Sequence, residues 1–95
     1  MLFEMMWVYI LQNTESKKFY VGCTADVNAR VKEHNYRREQ RWTGRQQGQW
    51  QLVYKKLFST KREALIREKA IKRKKSRRYI EQLIEFQRKP LGVVD

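Results

Sequence analysis

The chain has 95 residues and a net charge of +12, with 41% hydrophobic and 13% aromatic residues. That length suits one domain with one small core, and the apolar content excludes a disordered polycation. The single cysteine, Cys23, excludes an intrachain disulfide and a cysteine-cluster zinc site; one histidine, His34, excludes a His-rich metal cage.

The first apolar run, from Met5 to Leu11, is far shorter than the about 20 residues that span a bilayer. Glu4 sits where a secretory signal needs a basic start. A cytoplasmic protein without a membrane span is therefore expected. Trp7-Val8-Tyr9-Ile10-Leu11 is aromatic and β-branched and predicts a strand. Residues 13–18 have turn chemistry, and Phe19-Tyr20-Val21-Gly22-Cys23 predicts a second strand that completes a hairpin. Thr24 or Asp26 caps a helix reaching about Asn35. Residues 36–49 are polar and aperiodic, as in an exposed basic loop. Trp50 to Phe58 predicts the third strand, whose direction the sequence leaves open. Thr60 and Glu63 have capping-box spacing for a helix to about Lys74, and a last helix runs from Ser76 to Gln87. Pro90 and Gly92 close the ordered part. The expected fold is α+β, a small three-stranded sheet flanked by helices in the order β-β-α-β-α-α. Residues 1–90 form the single domain and 91–95 a C-terminal tail.

Charge is concentrated. Residues 61–78 hold ten basic side chains against two acids, eight of the twelve net positive charges. A solvated helix face is the plain interpretation, and a polyanion-binding surface the sharper one. Few bulky apolar residues lie beside these charges, so nucleic acid is favoured over a membrane surface.

Three places break the local pattern. On a helical wheel Ala64, Leu65 and Ile71 mark an apolar stripe, and Glu68 falls inside it. An acid there needs compensation, either from a neighbouring arginine or from a role as metal ligand or catalytic carboxylate. Val27 and Val31 define the buried edge of the first helix. His34 lies on that side and Arg30 flanks it; a structural histidine and a surface arginine are the plain alternatives. Alternation places Tyr9 with Trp7 and Leu11, and Tyr20 with Gly22. If the register allows, both phenols share one face, with Gly22 leaving space beside them for a ligand. A cross-strand aromatic pair explains the tyrosines equally.

These residues, in this order, resemble the GIY-YIG nucleases. Trp7-Val8-Tyr9 and Tyr20-Val21-Gly22 resemble the paired motif. Arg30 and His34-Asn35 resemble the family's helix, and Ala64 to Lys72 resembles the helix that carries the metal-binding Glu. The resemblance covers about residues 6–84. It is closest to small stand-alone members related to the nuclease domains of UvrC repair proteins and homing endonucleases. There are departures. Trp-Val replaces Gly-Ile in the first motif, Cys23 stands where some relatives carry a lysine, and a late asparagine has no match. The basic run at 72–78 is also denser than the family's pattern.

The resemblance implies hydrolysis of phosphodiesters with one divalent ion, Mg2+ or Mn2+. Glu68 would be its single protein ligand, with waters completing the shell. Arg30 would hold the scissile phosphate. Tyr9 would serve as general base or align the attacking water, although a phenol with a pKa of about 10 is a weak base at pH 7. His34, with an ordinary value of about 6.5, competes for that role. Tyr20 would position nucleophile or phosphate, and Gly22 would let the phosphate approach. Asn35 and Thr24 would be structural. Lys61, Lys69, Lys72, Arg73, Lys74, Lys75, Arg77 and Arg78 would follow the nucleic-acid backbone, as would Arg37, Arg38, Arg41 and Arg45 of the polar loop. Trp42 suits stacking on a base or a place in the core equally. The implied protein is a monomeric endonuclease acting on nucleic acid, DNA in first place, with little sequence preference. Two alternatives remain: a non-catalytic nucleic-acid-binding domain that keeps the fold, and a small RNA-associated basic protein.

Overall fold

In the computed structural model the described residues are 5–36 and 48–89. They form β1 (Met6–Asn13), β2 (Phe19–Thr24), α1 (Val27–Tyr36), β3 (Trp50–Phe58), α2 (Lys61–Lys74) and α3 (Arg77–Arg88). The α+β order matches the sequence expectation. The sheet order is β2-β1-β3, and both pairings are antiparallel. That supplies the direction of the third strand, which depends on chain path and not on local propensity. Arg37, Arg38, Arg41, Trp42, Arg45, Pro90 and Gly92 lie outside the described residues.

β1 is the central strand, so both of its faces are covered and Val8, Tyr9, Ile10 and Leu11 are all buried. Alternation then sorts the core into two layers. One face carries Val8, Ile10, Val21 and Tyr54 against Ala64, Ile71 and Ile84, with Phe19, Cys23 and Ile80 at its margin. The other carries Tyr9, Leu11, Val27 and Trp50, with Trp7, Tyr20 and Val31 packed against them. α2 therefore lies on one side of the sheet and α1 on the other. Leu65 corrects the expected stripe: it is 37% exposed, and only Ala64 and Ile71 of α2 are buried.

Local chemistry sets the helix ends. Asp26 Oδ1 accepts from the Ala29 amide at 3.1 Å and caps α1, while Thr24 Oγ1 accepts from the Asp26 amide and shapes the preceding turn. Thr60 caps α2 by accepting from the Glu63 amide, and Ser76 caps α3 by accepting from the Tyr79 amide. Lys75, at φ 48°, is left-handed and reverses the chain between α2 and α3. The Asn35 side chain bonds both backbone groups of Trp50, donating to its carbonyl and accepting from its amide. That clip fixes the end of α1 to the start of β3.

Candidate active site

The hairpin register puts Tyr9 directly opposite Gly22 and Leu11 opposite Tyr20. Tyr9 and Tyr20 therefore share the α1 face, with ring centroids 6.2 Å apart. α1 places His34 against both, with centroids 4.6 Å from Tyr20 and 6.1 Å from Tyr9. The Tyr9 hydroxyl is 3.1 Å from His34 Nε2. Tyr9 and His34 are each 1% exposed, whereas Tyr20 is half-buried. The structure thus brings three of the predicted residues into one cluster and leaves Tyr20 as its solvent-facing member.

Gly22 has a different part in this arrangement from the expected one. A Cβ there would lie 2.7 Å from the Tyr9 hydroxyl oxygen, 2.9 Å from Tyr9 Cζ and 3.1 Å from Tyr20 Cε1. The space beside the strand is filled by the tyrosines, and Gly22 is buried. The glycine makes room for Tyr9.

Glu68 reaches the same edge strand from the other face. α2 packs on β1 and β2, and the Glu68 carboxylate lies close enough to the thiol of Cys23, the residue after Gly22, to perturb its titration. Burial and this carboxylate push the thiol up from 9.0 to about 12. Lys72, one turn along α2, places its ammonium 2.5 Å from Glu68 Oε2. The Glu68 side chain is 15% exposed and that of Lys72 52%. The compensating cation is thus a lysine on the same helix, where the sequence offered a neighbouring arginine as one alternative. Arg30 sits one turn before His34 on α1, half-buried and ion-paired with Glu33 at 3.5 Å.

Comparison with known proteins bears on this arrangement. The GIY-YIG catalytic domain model matches residues 5–80. The chain belongs to the GIY-YIG family. UPF0213 proteins from several strains of Staphylococcus aureus are 39% identical over 66 residues, covering 70% of this chain and 78% of theirs. The solution structure of the UPF0213 protein BH0048 of Bacillus halodurans is similar with a TM-score of 0.57 and 32% identity, covering 95% of this chain and 99% of that one. Nuclease chemistry is what a GIY-YIG catalytic domain implies, and nucleic acid is its class of substrate.

The donor set for an ion is narrow in this GIY-YIG chain. Among the described residues no three His, Cys, Asp or Glu side chains converge to hold a metal. A cage built wholly of protein donors therefore does not fit. One carboxylate does fit Mg2+, which keeps most of its waters and commonly binds through one or two carboxylates plus substrate phosphate. Glu68, with its side chain 15% exposed, is a carboxylate that would suit such an ion. Among the described residues no helix is long and apolar enough to cross a membrane.

Lys61, Lys69, Lys72, Arg73, Lys74, Lys75, Arg77 and Arg78 are all exposed, as a backbone-tracking set requires. Only Lys72, Lys75 and Arg77 line the groove that opens beside Tyr20. Sequence reasoning missed Cys23 as the partner of Glu68. Its signal was present: alternation turns Cys23 to the face opposite Gly22, which is the face α2 covers.

Proposed function

We propose that this chain is a divalent-metal-dependent endonuclease that hydrolyses nucleic-acid phosphodiesters, DNA in first place, with little intrinsic sequence preference. The observation that carries the reading is the meeting of two half-sites at adjacent residues of β2. Gly22 lies under the Tyr9–Tyr20–His34 cluster, and the next residue, Cys23, has Glu68 near its thiol on the other face. A phosphate at this strand edge has phenols on one side and a carboxylate on the other.

In this reading Tyr20 meets the substrate and aligns the attacking water, because it is the cluster member open to solvent. Tyr9 and His34 are the hydrogen-bonded pair behind it and position its ring. The expectation that Tyr9 or His34 is the general base meets two side chains that are each 1% exposed, so a direct encounter with the attacking water requires the cluster to open. Arg30 exchanges Glu33 for the scissile phosphate, where its planar fork gives two hydrogen bonds. Glu68 would hold the ion through the carboxylate that Lys72 pairs with in this structure. Mg2+ or Mn2+, when bound there, supplies charge stabilisation at the phosphate and leaving oxygens. The exposed cations of α2 and α3 grip the backbone without reading sequence, so affinity falls steeply with salt.

The test is cleavage of labelled single-stranded, duplex and branched DNA, and of RNA, with Mg2+, Mn2+ or EDTA, beside Glu68→Ala. Metal-dependent products that vanish in Glu68→Ala support the reading. Salt-sensitive binding by both proteins with cleavage by neither overturns it in favour of a binding domain that kept the fold.

A further inference from the structure

The groove beside Tyr20 has a composition that the catalytic cluster does not explain. It has a volume of about 470 Å³ and lies between edge strand β2, the end of α2 and the start of α3. Phe19, Val21, Ile71 and Ile80 give it an apolar floor. Lys18, Lys72, Lys75 and Arg77 stand around it. A solvated basic surface needs no such floor, and an apolar docking site for an uncharged helix gains nothing from four surrounding cations. An apolar face ringed by positive charge is complementary to a nucleotide, whose flat base is apolar on its faces and whose phosphate is anionic.

Its position limits what can enter. Tyr20 lines the groove and also touches His34 in the cluster. Lys72 lines it and also holds Glu68. The groove thus shares Lys72 with the Glu68 side of the proposed cleavage site, and Tyr20, whose ring packs on the α1 face, borders it along the edge strand. Its margin is also tied in place. The Arg77 guanidinium lies 4.6 Å from the Phe19 ring centroid, donates to the Lys17 carbonyl at 2.8 Å and pairs with Glu81 at 3.1 Å. A guanidinium held in this way offers a stacking plane for a base as well as a charge for a phosphate.

We propose that this groove receives one unpaired nucleotide next to the scissile phosphate, so that the substrate is a strand with a single-stranded stretch at the cleavage point. A base within a duplex is stacked and paired, and its flat face is not free to lie on the groove floor. The inference rests on the Tyr20–Glu68 edge being the site of cleavage, but it concerns binding and is tested without turnover.

The experiment uses the full chain in EDTA, where no metal-dependent cleavage occurs. Fluorescence anisotropy compares a thymidine oligonucleotide with a blunt duplex of equal length. A 4-thiothymidine oligonucleotide is photocrosslinked, and the attached peptide is mapped by mass spectrometry. We expect tighter binding of the single strand and a crosslink within residues 18–21 or 75–80. Phe19→Ala should weaken single-strand binding by at least about fivefold, the low end of a lost stacking contact, while leaving duplex binding unchanged. Phe19→Leu, which keeps the floor apolar, should recover part of the loss, and circular dichroism confirms that both variants fold. Equal affinity for single strand and duplex, or a crosslink confined to other residues, overturns the groove and leaves the nuclease reading standing. A crosslink in the groove by a protein that never cleaves with Mg2+ or Mn2+ supports the groove and removes the nuclease.

Discussion

The Tyr9 hydroxyl and His34 Nε2 are 3.1 Å apart, joining the central strand to the end of α1 across 25 residues of sequence. Both side chains are 1% exposed. A buried polar contact of this kind fixes ring orientation, because loss of a partner costs more than the bond contributes net. His34 is thus structural in its burial, and it still bears on chemistry by setting where Tyr9, and through it Tyr20, must lie. His34→Ala should destabilise the fold by about 1–3 kcal/mol, measured by urea denaturation. Tyr20→Phe should leave stability within about 0.5 kcal/mol, since its ring packing remains, while abolishing cleavage. Equal destabilisation by the two variants would remove the distinction between positioning pair and substrate-facing phenol.

Gly22→Ala places a methyl group 2.7 Å from the Tyr9 hydroxyl. Tyr9 is packed in the core and cannot yield cheaply, so a loss of about 1–3 kcal/mol is expected from overpacking. Adding Tyr9→Phe removes the hydroxyl contact but leaves Cζ at 2.9 Å. Rescue in the double variant should therefore be partial. A double-mutant cycle reads this directly, and strict additivity would show that the glycine answers to something other than Tyr9.

Cys23 gives a pH dependence with a definite sign in the metal-free protein. Its folded pKa is raised from 9.0 to about 12, first by burial and then by Glu68. Between those values the unfolded thiol has lost its proton while the folded one keeps it. The folded state then binds more protons, so stability falls as pH rises through that window, and the contribution is fully present below pH 9.0. Cys23→Ala should flatten the alkaline side of the stability curve in EDTA. Iodoacetamide should label Cys23 slowly in the folded protein at about pH 8, where the thiolate is scarce, and faster in Glu68→Gln. Labelling that ignores Glu68 would contradict the contact.

Gln87 covers the second sheet edge. Its side chain accepts from the Lys55 amide at 3.3 Å and donates to the Lys55 carbonyl at 2.7 Å, as a neighbouring strand would. Edge strands left open invite pairing with other chains. Gln87→Ala should speed hydrogen exchange at the Lys55 amide and cost about 1 kcal/mol. An unchanged exchange rate would show that the edge is protected without this amide.

The sequence by itself determined the six elements, their order and the alternation within each hairpin strand. Alternation and helical period are local properties, set by backbone geometry that neighbouring residues share. They grouped Tyr9 with Leu11 and Tyr20 with Gly22, left the shared face of the two phenols to the register, and marked Glu68 as an acid on a helix that must pack. They also overextended that helix's apolar stripe to Leu65, because a wheel cannot say how wide a contact the sheet offers. Tertiary structure decided the antiparallel place of β3, the burial of His34 between two tyrosines, and the occupation of the space beside Gly22. It also decided that Glu68 approaches from the opposite face, through Cys23. These facts join residues far apart in the chain, and only the packing of helices on both sides of one twisted sheet fixes which of them meet.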